Sequence, residues 1–238
     1  MQTVSELYQD LNVQSDVSEF KKQTEAVANI LAENNIQVTT YRDPLLPAFS
    51  SLDQTRKQNS LKEIEFYKKS LHMALGEDRT INEKQSLWSS LKLLGLRPTS
   101  DILDIIGPED SVEAYDIGGI QFWRNFKFFE VCSYTLEEMF SIPWHDRYDR
   151  DEAAVKQTQE IAMKLMSGQI TKTIHCDIRN ILVEKRSENK FVIDARHTHI
   201  SPLFDQYNAV SGFIVVSKVK LLGADNTNNL PTSCLDFT

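Results

Sequence analysis

The hydrophobic period of this chain changes near Gly107–Pro108, and this change constrains the fold more than any other feature of the sequence. Before it, apolar residues recur every three or four positions, as in amphipathic helices; one such series is Val17, Phe20, Val27 and Leu31. After it, short apolar runs bounded by Gly, Asn and Pro indicate strands and turns. We predict an α+β fold with a helical N-terminal module (1–109), a strand-rich domain (110–222) and a polar C-terminal tail (223–238).

The strand-rich domain has a recognisable order of elements. It begins with VEAYDIGGIQFWRN, which predicts two short strands joined by a tight turn at Asp116–Gly119. Two short helices follow, and the second starts at the capping box Thr135–Glu138, where hydroxyl and carboxylate satisfy each other's backbone donors. A longer helix is predicted from about Asp151 to Ser167, followed by three strands with Pro202 in a loop between the last two.

Two further capping boxes lie in the helical module, at Ser60–Glu63 and Thr80–Glu83, and each predicts the start of a helix. Between them, apolar residues at helical spacing predict one amphipathic helix; they are Leu61, Ile64, Leu71 and Leu75. This stripe suits either packing on neighbouring helices or a dimer seam. Intramolecular packing is favoured because the repeat is too short for a sustained coiled coil.

Charge and composition argue against several classes of protein. The net charge of −8 argues against nucleic-acid binding, which needs clustered Lys and Arg. Cys132, Cys176 and Cys234 are odd in number and widely spaced, which indicates a reducing compartment rather than a disulfide framework. The opening MQTVSELYQDLNVQ has neither the basic cap nor the apolar stretch of a signal peptide, and no apolar run approaches the ~18 residues of a membrane span. We expect a soluble, cytoplasmic protein without a membrane span.

Residues 111–222 resemble the PAS domain family at three points. YDIGGIQFWRN is similar to the first hairpin of that family, and SGFIVVSKVK to its closing strand. NFKFFEVCSYTLEEMF is similar to its Asn-led helical turn and its Tyr-(Ser/Thr)-x-Glu-Glu signature; the matching residues are Asn125, Phe129, Tyr134 and Glu138. The chain departs from the family where Ser133 and Asn189 stand at positions that usually or often hold Gly, and Asn tolerates a left-handed backbone better than most residues. The N-terminal half shows no such resemblance.

The resemblance implies a five-stranded antiparallel sheet curved around helices, with a hollow that holds a small molecule, haem or flavin in many members of the family. It leaves the cofactor unidentified. By position, the residues expected to line the hollow are Trp123, Phe140, Trp144, Tyr148, Ile161, Leu165, Val183, Ile193 and Phe213. The alternative is that these side chains pack on one another as an ordinary core.

Two functional classes follow from these expectations. In the first, a non-enzymatic PAS-type sensor binds a small ligand or a protein partner and relays that state through the helical module, as a dimer. This class predicts a cavity of at least ~300 Å³. In the second, the chain is a dimerisation or interaction module with a filled core and an exposed apolar helix face. We predict the first, with no enzymatic activity.

A third class is a kinase-like phosphotransferase. IHCDIRNILVEKRSENKFVIDARH is similar to the catalytic strip of such enzymes, in which His175 and Asp177 would form the His-x-Asp motif. Asp177 would accept the substrate proton, and Asn180 and Asp194 would hold magnesium. The spacing argues against this reading, since Asn180 follows Asp177 by three residues instead of five, and the upstream sequence has no Gly-rich phosphate loop.

The histidines of the last strands raise the question of a metal site. His197 and His199 alternate on a predicted strand and are therefore expected to face the same way, with His175 and Cys176 nearby. Structural zinc needs four close ligands, which two imidazoles alone do not supply. We interpret both as outward-facing polar residues and predict no metal site.

Overall fold

The N-terminal part of the protein is largely helical. The computed structural model describes residues 4–76 and 80–224, so Cys234 and most of the predicted tail (225–238) lie outside the described residues. The elements here are α1 (Val4–Glu33), α2 (Pro47–Ser50), α3 (Gln54–Met73), α4 (Glu83–Leu93), β1 (Arg97–Pro98) and α5 (Ile102–Ile105). The N-cap residues of α3 and α4 are Asp53 and Asn82, whose side chains accept from Arg56 N and Gln85 N. The starts predicted at the Ser60 and Thr80 boxes were therefore wrong, because nearby Asx caps open both helices.

The C-terminal part forms an antiparallel sheet with short helices between its strands. The elements are β2 (Asp110–Asp116), β3 (Gln121–Arg124), α6 (Lys127–Val131), α7 (Leu136–Ser141), α8 (Trp144–Arg147), β4 (Tyr148–Asp149), α9 (Glu152–Met166), β5 (Ile174–Glu184), β6 (Phe191–Phe204) and β7 (Val210–Ala224). The strand order is β3-β2-β7-β6-β5-β4, and β1 pairs with one end of β6.

The predicted α+β class is confirmed, but the sheet has seven strands in the described residues where we expected five. The two additional strands, β1 and β4, are two residues long and pair with Leu203–Phe204 and Val183–Glu184. A two-residue strand is too short to show the alternation by which strands are recognised in a sequence. The division of the chain into domains at residue 109 stays a prediction.

Two local predictions near the last strands were wrong. Pro202 lies inside β6, not in a loop, and pairs with Phe213 of β7. Proline is tolerated at sheet edges, and here the neighbour on the other side of β6 is only the two-residue β1. In the turn between β5 and β6, the left-handed residue is Lys190 (φ 44°) rather than Asn189. The two turn residues are adjacent, and only the tertiary pairing decides which one reverses the chain.

The sheet has two faces with different neighbours. Its inner face carries Glu113, Ala195 and Val215, and α8 and α9 lie over it. On the outer face, Val112 of β2 lies near Leu87 of α4. Further along the outer face, beyond the N-terminal helices, β5 and β6 carry an exposed row of charged side chains, among them Arg179, Asp194 and Arg196.

The N-terminal helices and the sheet share one continuous core. The Tyr67 hydroxyl of α3 donates to the Arg124 carbonyl of β3 at 3.0 Å. The indole of Trp123 donates to the Ser86 hydroxyl of α4 at 3.1 Å. These are buried contacts between segments far apart in sequence, so the helical module packs directly against the sheet.

Asn125 joins β2 to the turn that follows β3. Its Oδ1 accepts from Val112 N at 3.0 Å and its Nδ2 donates to Asp110 O at 2.7 Å, while its own N–H donates to Val112 O at 3.0 Å. An Asn that leaves a strand can also bond the backbone that follows it. Here the side chain turns back to the neighbouring strand, where two backbone groups need partners.

We predict that Asn125→Ala lowers the free energy of unfolding by about 2–4 kcal/mol, because it leaves Val112 N–H and Asp110 C=O buried without a partner. Urea unfolding followed by circular dichroism measures the change. Asn189→Ala in the exposed turn is the matched control and is expected to stay within about 0.5 kcal/mol. Equal stabilities of the two variants would contradict this role of Asn125.

Candidate functional site

A cavity of about 310 Å³ lies between the inner face of the sheet and helices α8 and α9. Successive inner-face positions of four strands line it, in agreement with the cross-strand register. These residues are Ser111, Glu113 and Tyr115 of β2, Phe213, Val215, Ser217 and Val219 of β7, Ile193, Ala195 and His197 of β6, and Asn180 and Leu182 of β5. Thr158, Gln159, Ala162 and Met166 of α9 close one side.

Four of the nine residues expected to line a hollow lie at this cavity. They are Trp144, Tyr148, Ile193 and Phe213. Their contact with a ligand stays a prediction, but the structure brings them together from four separate elements. Ile161 and Leu165 of α9 lie beside the cavity instead of lining it, and Leu165 is fully buried in a small cluster with Tyr115 and Val215.

The remaining three residues lie elsewhere. Trp123 is on the outer face of the sheet, where it pairs with Ala114 and bonds to Ser86. Phe140 packs against Tyr67 of α3 with their ring centroids 5.9 Å apart. Val183 is next to Leu182 on β5 and, by the alternation of a strand, faces away from the cavity.

Three aromatic rings form one corner of the cavity. The ring of Tyr115 is stacked on Phe213 with centroids 5.2 Å apart, and Trp144 approaches Tyr115 edge-on at 5.6 Å. The indole Nε1 of Trp144 also donates to the Gly119 carbonyl at 2.6 Å, which ties the β2–β3 turn to α8. Such a corner offers a flat apolar surface that favours planar groups.

Two arginines also line the cavity. Arg147 is buried, and it donates from Nε to Ile142 O at 2.9 Å and from Nη1 to Gln121 Oε1 at 3.3 Å. Burial, with the nearby charge of Arg124, lowers the pKa of Arg147 to about 10, so the side chain remains charged at neutral pH. The guanidinium of Arg150 lies 4.9 Å from the ring centroid of Trp144, and Nη2 donates to Trp144 O at 2.7 Å.

The other polar groups of the cavity are held by local hydrogen bonds. Glu113 accepts from the side-chain amide of Gln121. Asn180 Oδ1 accepts from Asp151 N, at the start of α9, at 3.1 Å. His197 Nδ1 lies 2.7 Å from Ser217 Oγ, and burial lowers the pKa of its imidazole, so His197 is neutral at pH 7.

A buried carboxylate and a tyrosine attach α7 and α8 to the sheet. Glu184, at the end of β5, accepts from Ser133 N at 2.7 Å and from Phe191 N at 3.0 Å. The Tyr134 hydroxyl donates to the Arg147 carbonyl and accepts from Lys185 N at 3.2 Å. These contacts attach α8, which carries Trp144 and Arg147, to the end of β5.

Arg147 was not among the residues predicted from the sequence, and the prediction that His197 faces outward was wrong. A β-bulge between His197 and His199 breaks their alternation, so His197 lines the cavity while His199 contacts His175 with ring centroids 5.1 Å apart. The alternation Ile193, Ala195, His197 does predict one common face, and it would have identified His197. Arg147 had no such signal, because an arginine after a short helix is usually solvent-exposed.

The structure separates the residues of the phosphotransferase reading. Asn180 lies on the inner face and Asp194 on the outer face, so these two side chains cannot hold one magnesium ion. Asp194 pairs with Arg179 at 2.8 Å, and Asp177 pairs with Arg196, both on the exposed surface of the sheet. In the part of the chain that the structure describes, no group of three or more His, Cys, Asp or Glu side chains is placed to hold a metal ion.

The neutral imidazole of His197 predicts a pH dependence of stability. Burial lowers its folded-state pKa below 6.5, and Glu113 and Arg150 act on it in opposite directions. The unfolded chain therefore binds more protons below pH ~6.5, so stability is lost as the pH falls from there, by up to about 1.4 kcal/mol per pH unit. We expect His197→Gln to show a smaller loss of unfolding free energy between about pH 7.5 and 5 than the wild type.

The control for this measurement is His145→Gln, because His145 is exposed. Its pH dependence is expected to match that of the wild type. If His197→Gln loses as much stability on acidification as the wild type, His197 is not the buried neutral group described above.

No protein-family model matches the chain, and no curated protein matches it. Within residues 4–76 and 80–224, no helix combines the length and the apolar character needed to cross a bilayer.

Proposed function

We propose that this protein is a non-enzymatic sensor of the PAS type that binds a small molecule in the cavity and relays its occupancy through the N-terminal helices. The observation that carries the proposal is the cavity of about 310 Å³, lined by aromatic rings and a few buried polar groups. Ligand sites in proteins have this composition, and their volumes begin at about 300 Å³. An interaction module needs no such space, so the cavity favours the sensor over that alternative.

The arrangement of strands supports a PAS-like domain in residues 111–222. The first hairpin lies beside the closing strand, since β2 pairs with β7 from Asp110↔Lys218 to Asp116↔Gly212. The signature segment starts α7 with the predicted capping box, in which Thr135 Oγ1 accepts from Glu138 N and Glu138 accepts from Thr135 N. Its tyrosine, Tyr134, donates to the Arg147 carbonyl and accepts from Lys185 N.

A short route connects the cavity to the N-terminal helices. The Arg147 carbonyl accepts from Tyr134, which lies two residues before α7. In the first turn of α7, Glu137 Oε1 accepts from Phe49 N of α2 at 3.1 Å. We place the relay on this route because a shift of Arg147 on ligand binding would move α7 against α2. The partner that reads it would be a second copy of this chain or another protein.

We expect ligands of the cavity to raise the melting temperature of the full chain, because they bind only the folded state. The compounds to screen by thermal shift are haem, FMN, Mg²⁺–ATP and a set of small aromatic molecules. A ligand at 100 times its Kd raises the free energy of unfolding by about 2.7 kcal/mol. Ala162→Phe fills the cavity from α9, and we expect it to abolish the shift.

Ala153→Phe is the matched control, since Ala153 is exposed on the same helix and does not line the cavity. It should keep the wild-type shift. Stabilisation that survives Ala162→Phe would place the ligand elsewhere, and the absence of any stabilising compound would favour the interaction module. A selective response to Mg²⁺–ATP would favour the phosphotransferase.

A further inference from the structure

The cavity has an excess of positive charge in a protein that is negative overall. Its charged lining residues are Arg147, Arg150 and Glu113, which sum to +1 because the other titratable residues of the lining, Tyr115, Tyr148 and His197, are neutral at pH 7. The whole chain has a net charge of −8. The interior charge is therefore a local property of this site.

Neither arginine of the cavity has a carboxylate partner among the described residues. Elsewhere the guanidinium groups of Arg42, Arg56, Arg179 and Arg196 make ion pairs with Asp or Glu. Arg147 bonds only to a carbonyl and an amide oxygen, and Arg150 only to carbonyls. The charge of Glu113 raises the pKa of both arginines, but Glu113 accepts no hydrogen bond from either of them among the described residues. A buried cation without a directly bonded counterion is costly, so the site favours an anion.

Arg147 is the better placed of the two to bind that anion. Its side chain is only 4% exposed, and its two hydrogen bonds use Nε and Nη1, which leaves Nη2 as a donor. Arg150 is less buried and already uses both Nη atoms. A hydrogen bond from a buried guanidinium to an anionic oxygen is among the strongest that proteins make.

The body of the ligand must suit the other walls. Tyr115, Trp144 and Phe213 form the aromatic corner, and their rings favour a planar apolar group. The cavity volume of about 310 Å³ is near the lower limit for ligand sites, which favours a compact molecule. One net positive charge matches one negative charge on the ligand.

We infer that the cavity binds a small aromatic monocarboxylate, with its carboxylate on the guanidinium of Arg147 and its ring against Trp144 and Phe213. This inference rests on the proposed function, since it names the class of ligand for the same cavity. It assigns Arg147 as the residue that selects acids over neutral and cationic compounds of the same shape.

The test compares phenylacetate with phenylacetamide, which has nearly the same shape and no charge, by calorimetric titration of the full chain at pH 7. Phenethylamine and hexanoate test the charge and the ring separately. We expect phenylacetate to bind at least about tenfold more tightly than each of the other three, because only it satisfies both parts of the site. This comparison uses the wild-type protein and requires no variant to fold.

The role of Arg147 is tested with Arg147→Met, which removes the guanidinium and retains an apolar side chain of similar length to the stem of arginine. We expect the variant to lose the preference for phenylacetate over phenylacetamide while the amide still binds. Arg196→Met is the matched control, because Arg196 lies on the outer face of β6, away from the cavity. It should keep the wild-type preference. A preference that persists in Arg147→Met would overturn the assignment.

The outcomes separate this inference from the proposed function. If phenylacetate and phenylacetamide bind equally well and Ala162→Phe blocks both, the inference of an acid ligand is wrong and the proposed sensor function stands. Equal binding of hexanoate would overturn the aromatic part alone. If none of the four compounds binds while another compound of the thermal-shift screen stabilises the protein through the cavity, the inference of an acid ligand is wrong and the proposed sensor function stands. If no compound binds at all, both proposals are wrong.

Discussion

The buried carboxylate of Glu184 and the hydroxyl of Tyr134 join the segment that carries α7 and α8 to the end of the sheet, next to the cavity. Glu184 accepts hydrogen bonds from Ser133 N, just before α7, and from Phe191 N, at the start of β6. Tyr134 bonds to the carbonyl of Arg147 and to the backbone of the β5–β6 turn. A carboxylate that satisfies several donors is stable when buried, but removing it would leave all of them unpaired. Polar contacts therefore join the α7–α8 region to the end of the sheet, and the cavity beside them is lined by aromatic and apolar side chains together with a few charged and polar ones.

The charges of the interior connect stability to the proposed function. Arg147 is held by neutral acceptors, which orient it without neutralising it. The folded protein therefore retains part of the cost of burying a cation, and a bound anion would remove that cost. A site of this kind links ligand binding to stability. It also suits a sensor, because the position of Arg147 and of the α7 segment attached to it would depend on whether the counterion is present.

The N-terminal helices are close enough to respond to such a change. Glu137 of α7 bonds to Phe49 of α2, and the backbone of the same turn donates to Thr39 and Thr40 at 2.8 and 3.0 Å. Tyr67 of α3 reaches the carbonyl of Arg124. Packing of this kind transmits displacement because buried groups cannot move apart without losing hydrogen bonds. The helical module is thus attached to α7 and to the end of β3.

The sequence by itself determined the α+β class and the capping box at Thr135–Glu138, because hydrophobic period and cap chemistry are local properties. Only the tertiary structure decided that Trp123 faces α4 rather than the cavity, that Asn125 turns back to β2, and that a bulge sends His197 and His199 to different neighbours. It also placed Arg147 inside the protein. The physical reason is that a local pattern fixes the direction of a side chain relative to its own strand or helix. Its partner comes from a distant segment, and the packing of the whole chain decides which segment that is.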